Sequence, residues 1–194
     1  MCLTKHARVA FAAIALAFLA GCNAESQLAS ETVFNGGLWT VRLTSPAFLD
    51  AEQMPAKYTQ RGGNVSPPLL WTKGPSGVKQ WVLIVQDVSG GKPVNHWLVY
   101  NIPPKVTEMP ENAARDYELT QGANYLGRHD WAGPSPRGGE AHHYYFEIFA
   151  LDTAIAATAD MDPRAIAHEL KRQNGNVLAK GQLVGIYREP EKKK

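Results

Sequence analysis

Four side chains in this sequence could together hold a small anion: Asp87, His96, His142 and Tyr144. A carboxylate beside an imidazole can fix the tautomer of the histidine and favour its cationic form. Two imidazoles and a phenol hydroxyl, surrounded by prolines and backbone N–H groups, offer the donors that a phosphate-like anion needs. The residue types therefore predict an anion pocket, provided that the fold brings these distant positions together.

Three apolar runs place these side chains at the ends of strands. Residues 81–85 form a continuous aromatic and β-branched run that ends just before Asp87, which is typical of a strand buried on both faces. A second run, 96–102, begins with a histidine, and a third, 144–151, follows directly after His142. Because strand ends are rigid supports for binding loops, the pattern favours one site at one end of a sheet.

The other elements predict a single, mainly β domain. Residues 39–43 alternate in polarity, and 182–187 have the composition of a last short strand. Long loops rich in Gly and Pro separate the strands, and no second linker or internal repeat is visible. This organisation favours an antiparallel β-sandwich with helical additions, over residues 38–190.

One helix is expected late in the chain. Asp162 can cap it, and Pro163 suits its first position. Ile166 and Leu170 would lie on one face and dock the helix on the sheet. We expect Gly175 to end it in the left-handed conformation.

Several short segments of the domain form an ordered pattern. They are Asn-Val-Ser-Pro-Pro-Leu-Leu-Trp at 64–71, Gln-Asp at 86–87, His-Trp-Leu-Val-Tyr-Asn-Ile-Pro at 96–103, and the blocks 122–127, 133–144, 146–152 and 178–187. Together they resemble the phosphatidylethanolamine-binding proteins, whose bacterial branch is also called Raf kinase inhibitor-like. Each block alone is weakly specific, but their order and spacing over about 48–188 are specific.

The resemblance implies a Greek-key β-sandwich with a small anion pocket at one end. Its pocket positions correspond to Asp87, His96, Pro136, His142 and Tyr144. His142 and Tyr144 would donate to a phosphate-like oxygen, and His96 would supply a second imidazole. Asp87 would accept a hydrogen bond from one of these groups and hold its orientation. A C-terminal aromatic of the family corresponds to the tyrosine at 187.

Two positions depart from the family pattern. The family usually has Asp-Pro-Asp where this chain has Asp87-Val88-Ser89, so a second carboxylate is replaced by a hydroxyl. An arginine commonly stands where this chain has His143, whose side chain should point away from the pocket in an alternating strand. The missing carboxylate makes the pocket less negative and could change its ligand preference.

The first 21 residues have the pattern of a signal peptide. Lys5 and Arg8 precede an apolar run, 9–20, that is too short to span a bilayer. Leu-Ala-Gly-Cys at 19–22 resembles the lipobox of bacterial lipoproteins, in which Cys22 is lipidated, for example with palmitate. We therefore expect residues 22–37 to be a lipidated N-terminus and tether.

Cysteine and charge counts narrow the function classes. If the leader is removed and Cys22 is acylated, no thiol is left for a disulfide or a cysteine metal site. Loss of Lys5 and Arg8 lowers Lys+Arg from 20 to 18, which equals the 18 Asp+Glu. A neutral domain lacks the basic face that nucleic-acid binding needs.

The pocket residues leave other chemistry open. The histidine pair 142–143 could contribute to a metal site, although alternation separates the two rings. Ser66 or Ser89 could serve a hydrolase, although no Gly-x-Ser-x-Gly elbow is present. Asp87 and His142 could also be a purely structural pair.

We expect a non-enzymatic envelope protein that binds a phosphate-like or other anionic ligand, without cofactor or metal. The alternative is a protein-interaction module, an inhibitor of a protease or kinase that acts through the loops around the pocket. Expected partners are an anionic small molecule or lipid head group, the membrane through the anchor, and an envelope protein. The chain would face the periplasm, and Asn23 in place of Asp after the lipidated residue favours the outer membrane.

Overall fold

The computed structural model describes residues 28–29, 34, 39–137, 139–156 and 161–190. The strands in these ranges are β1 (Trp39–Thr40), β2 (Leu43–Thr44), β3 (Glu52–Gln53), β4 (Leu69–Trp71), β5 (Gln80–Asp87), β6 (Val94–Ile102), β7 (Glu108–Met109), β8 (Thr120–Gln121), β9 (Ala141–Leu151) and β10 (Val177–Arg188). Helical segments are Ala56–Tyr58, Ala113–Asp116 and Pro163–Arg172. None of the helices in the described ranges is long and apolar enough to cross a bilayer.

Two sheets form the body of the domain. The main sheet has the order β1-β10-β9-β5-β6-β8, with β3 also paired to β10, and the smaller sheet has the order β2-β4-β7. The predicted mainly β sandwich with a late helix is confirmed. The main sheet is mixed, because the two-residue strands β1 and β3 run parallel to β10 while β9, β5, β6 and β8 are antiparallel to their neighbours.

Strand β5 lies at the centre of the main sheet and is buried along its whole length. Trp81 and Leu83 on one face belong to the core between the sheets, where the Trp81 ring meets Trp71 of β4 edge-on at 6.1 Å. Val82 and Ile84 on the other face belong to a second core. Burial on both faces explains why this strand reads as a continuous apolar run.

The late helix covers the second core. Asp162 accepts a hydrogen bond from the Ala165 N–H at 2.7 Å, which is the expected N-cap, and Ile166 and Leu170 are buried against the sheet. The C-terminal end of the helix differs from the prediction.

The left-handed residue after the helix is Asn174 and not Gly175, so that expectation was wrong. The N–H of Asn174 donates to the Lys171 carbonyl, and that of Gly175 to Leu170, which is a Schellman ending. Gly175 is needed for space, since a Cβ there would lie 2.4 Å from the Thr153 hydroxyl oxygen.

Three described residues N-terminal to position 38 pack on the main sheet. Leu28, Ala29 and Phe34 are buried, and the Phe34 ring stacks on Phe149 at 4.6 Å. The Ala29 N–H donates to the Gln86 side-chain oxygen at 3.1 Å. The segment predicted as a tether therefore contacts the sheet at these positions. The predicted signal peptide and Cys22 lie outside the described residues.

Candidate functional site

The antiparallel register brings the ends of three strands together. Asp87, the last residue of β5, lies beside Val94 at the start of β6 and opposite Tyr144 of β9. His142, two residues before Tyr144, lies opposite Tyr187 of β10. The candidate site is therefore at one end of the main sheet, which we call the pocket end.

Asp87 holds His142 in one orientation. The His142 Nδ1 lies 2.7 Å from Asp87 Oδ2, and the two side chains are 23% and 10% exposed. The other carboxylate oxygen, Oδ1, accepts from the Ser89 N–H at 2.9 Å. With Nδ1 donating to the carboxylate, Nε2 of His142 is left for another partner.

His96 is fixed by the backbone on the far side of the site. Its Nδ1 lies 2.5 Å from the Ala132 carbonyl oxygen, so this nitrogen must donate. Burial lowers the pKa of His96, although the hydrogen bond to Ala132 and the charge of Asp87 oppose the shift. The ring is therefore neutral at pH 7, and its Nε2 is an acceptor.

Tyr144 lies between the two imidazoles. Its ring meets His96 edge-on at 5.1 Å and is nearly parallel to His142 at 6.5 Å. Burial, together with the nearby Asp87 carboxylate, raises the pKa of Tyr144 far above its usual range. The hydroxyl is therefore protonated over the whole physiological range and can act as a donor.

The loop before β9 forms another side of the site. Pro136 is buried in this loop, and the neighbouring Ser135 backbone hydrogen-bonds to the Tyr144 hydroxyl. Gly133 fixes the start of the loop, since its N–H donates to Asn64 Oδ1 at 2.8 Å. A Cβ on Gly133 would lie 2.2 Å from the Tyr58 carbonyl oxygen, so only glycine allows this approach.

The sequence matches a known family over most of its length. The family model described as "Phosphatidylethanolamine-binding protein" matches residues 44–188. The chain belongs to the phosphatidylethanolamine-binding protein family.

Relatives and solved structures agree with this membership. A UPF0098 protein of Pyrococcus horikoshii is 40% identical over 152 residues, which cover 74% of each chain. A UPF0098 protein of Methanothermobacter thermautotrophicus is 36% identical over 154 residues, which cover 76% of this chain and 99% of the relative. The structure of a putative homologue from Chlamydia trachomatis has a TM-score of 0.70 at 30% identity and covers 78% of this chain and 99% of its own. That of Escherichia coli YbcL has a TM-score of 0.68 at 28% identity, with coverage of 77% and 99%.

Ser89, at the position where the family usually has a second carboxylate, supports the backbone. Its hydroxyl accepts from the His143 N–H at 3.0 Å, while its own N–H donates to Asp87. The His143 side chain is exposed and lies on the opposite face of β9 from Tyr144. The replacement thus joins the loop after β5 to the start of β9.

Sequence reasoning did not single out Tyr125 as a site residue. Its ring lies 5.0 Å from that of His96, it is 44% exposed, and its hydroxyl is 2.5 Å from the Gln60 side-chain nitrogen. The block 122–127 resembled the family, and an aromatic residue in a glycine-rich loop was the available signal. The contact of the Ala132 carbonyl with His96 could not be predicted from the sequence, because every residue has a backbone carbonyl whatever its side chain.

The structure also bears on the two alternatives of a metal site and a serine hydrolase. In the described part of the chain, no three His, Cys, Asp or Glu side chains converge as a metal ion would require. Ser66 is buried, and its hydroxyl accepts from the Ala114 N–H at 3.1 Å, so it caps a short helix. Roles for Asp87, His96, Pro136, His142 and Tyr144 in ligand binding stay predictions.

Proposed function

We propose that this family member is a non-enzymatic envelope lipoprotein that binds a phosphate-like anion at the pocket end. The observation that carries the proposal is the contact of Asp87 with His142 beside the protonated hydroxyl of Tyr144. The phenol can donate to one oxygen of a small anion, and the imidazole can donate to another from Nε2 in its doubly protonated form, because Nδ1 already donates to Asp87.

The pocket also contains acceptors, which restrict the kind of anion. Neutral His96 has an unprotonated Nε2, and Asp87 carries a negative charge. A fully deprotonated anion would be repelled by these groups. A monoprotonated phosphate, or a phosphate ester that carries a hydroxyl or ammonium group, brings a donor for the acceptors as well as oxygens for His142 and Tyr144.

The proposed location rests on the N-terminal sequence. A charged start, a short apolar run and the Leu-Ala-Gly-Cys motif support export and acylation at Cys22. Metabolic labelling with a palmitate analogue tests the anchor. The wild-type chain should take up label and Cys22→Ser should not, and label on the variant would contradict acylation at this site.

Calorimetric titration of the processed chain with phosphoethanolamine, and separately with inorganic phosphate, tests the pocket. Binding of either ligand that is lost in His142→Ala would support the proposal. His168→Ala is the matched control, because His168 is exposed on the late helix far from the pocket motifs in sequence. No heat with either ligand, or equal binding by His142→Ala, would refute it.

A further inference from the structure

The described N-terminal residues mark a direction along the main sheet. Ala29 contacts Gln86, which lies opposite Tyr145 of β9, and Phe34 stacks on Phe149. Tyr145 and Phe149 are four residues apart in one strand, a distance of about 13 Å. Ala29 thus lies nearer the pocket end than Phe34 does.

The proposed lipid site is close to this point along the chain. Cys22 precedes Leu28 by six residues, which span about 20 Å even when fully extended. Leu28 is itself buried in the fold. An acyl chain on Cys22 would therefore hold the pocket end of the sheet near the bilayer surface.

An exposed apolar pair lies at the same end, in residues 124–128, which we call the rim loop. Tyr125 and Leu126 are 44% and 45% exposed. The loop is held firmly, because the buried Asn124 side chain accepts from the N–H groups of Leu126 and Arg128 at 2.9 and 3.1 Å. Gly127 completes the turn with a φ of +72°. These hydrogen bonds hold Tyr125 and Leu126 in place at the protein surface.

The composition around the rim loop suits a membrane interface. Arg128 follows the apolar pair, and Lys92 and Arg137 are exposed in two other loops at the pocket end. Tyrosine, leucine and long basic side chains are favoured at the boundary between lipid head groups and acyl chains, because together they combine apolar surface with polar or charged ends.

We propose that the rim loop contacts the phospholipid bilayer to which the chain is anchored, so that the pocket opens toward the head groups. This inference rests on the proposed function through the acyl anchor. It goes beyond the proposed function by naming the surface of the protein that meets the membrane.

Site-specific fluorescence in proteoliposomes tests the contact. Leu126→Cys would give the processed chain one free thiol, because Cys2 leaves with the signal peptide and Cys22 is acylated. The thiol is labelled with the fluorophore NBD, and the chain is reconstituted in phosphatidylethanolamine and phosphatidylglycerol vesicles with and without nitroxide-labelled lipids. We expect a blue shift at position 126 and loss of most of the emission with nitroxide lipids.

Trp39→Cys is the matched control. Trp39 is 62% exposed and lies opposite Ala179, which pairs with Ala150 of β9, eight residues from His142 and thus about 26 Å from the pocket end. A label there should keep its emission. Equal quenching at both positions, or stronger quenching at position 39, would overturn the proposal. A second probe, Arg128→Cys, covers the case in which Leu126→Cys fails to fold, and the same outcomes apply.

Two further measurements separate this inference from the proposed function. The intact mass of the processed chain reports acylation. An acylated chain without quenching at position 126 contradicts only the membrane contact, whereas an unacylated chain overturns the lipoprotein assignment and this inference with it, and leaves anion binding to the calorimetric test. Quenching that persists in Leu126→Cys combined with His142→Ala would show that the rim loop meets the bilayer independently of pocket binding, and quenching lost in that variant would contradict a direct contact.

Discussion

Replacing Tyr144 with phenylalanine should weaken phosphate binding by about tenfold while leaving the fold intact. The substitution removes only the hydroxyl, and the ring keeps its packing between His96 and His142. A hydrogen bond to a charged group contributes about 1.5–3 kcal/mol, which corresponds to roughly 10- to 150-fold in Kd. Because the Asp87 carboxylate interacts with the same hydroxyl, we expect the lower end of this range.

Calorimetry with inorganic phosphate, for wild type, Tyr144→Phe and Tyr145→Phe, measures this effect. Tyr145 is the matched control, since it is the next residue of β9 and points to the other face. Its loss of a hydroxyl should leave the affinity within about twofold, less than 1 kcal/mol. Equal affinities of wild type and Tyr144→Phe would refute the assignment of the hydroxyl as a ligand donor. Because burial raises the pKa of Tyr144, its ionisation should also cause no loss of binding near pH 10.

Three other predictions concern stability and ligand preference. Burial lowers the pKa of His96, so in acid the unfolded chain binds more protons than the folded chain does. As the pH decreases from about 6.5, the free energy of unfolding should therefore decrease by up to about 1.4 kcal/mol per pH unit. Urea unfolding should show a shallower fall for His96→Asn, and an unchanged slope would contradict the buried neutral ring. Phe34→Ala should lower the free energy of unfolding by about 3–5 kcal/mol, because the ring is buried, and a change below about 1 kcal/mol would show that its packing is dispensable. Ser89→Asp restores a carboxylate near Asp87 and should weaken phosphate binding about fivefold through a repulsion of about 1 kcal/mol, whereas tighter binding in calorimetry would contradict this electrostatic reasoning.

The pocket end could be predicted because strand ends are visible in sequence. The run 81–85 is continuous because β5 is buried on both faces, and the antiparallel register then fixes which residues meet at its end. Asp87 and His142, 55 residues apart, were placed together on this basis and lie in contact. Loop closure follows no period, so the approach of Tyr125 to His96 could not be derived in the same way.

Other features of the fold could not be predicted from the sequence, for different physical reasons. The strands β1 and β3 have two residues each, too few to show a period, so their parallel pairing with β10 was not foreseen. Asn174 and Gly175 both tolerate the left-handed conformation, so residue type does not decide between them, and the need for glycine at 175 comes from the close approach of Thr153, which the sequence does not show. Phe34 follows a polar stretch that indicated a tether. Its packing on Phe149 depends on the apolar face of the folded sheet, which the local sequence around Phe34 does not indicate.

The short parallel strands have a consequence for self-association. β10 is twelve residues long and would otherwise offer an open edge, which is a template for pairing with another copy and for aggregation. The N–H groups of Val41, Ala51 and Met54 donate to the carbonyls of Lys180, Val184 and Ile186, and Asp50 accepts from the Val184 N–H. The edge is thus occupied by other parts of the same chain, which leaves a second copy few groups with which to extend the sheet even at high protein concentration.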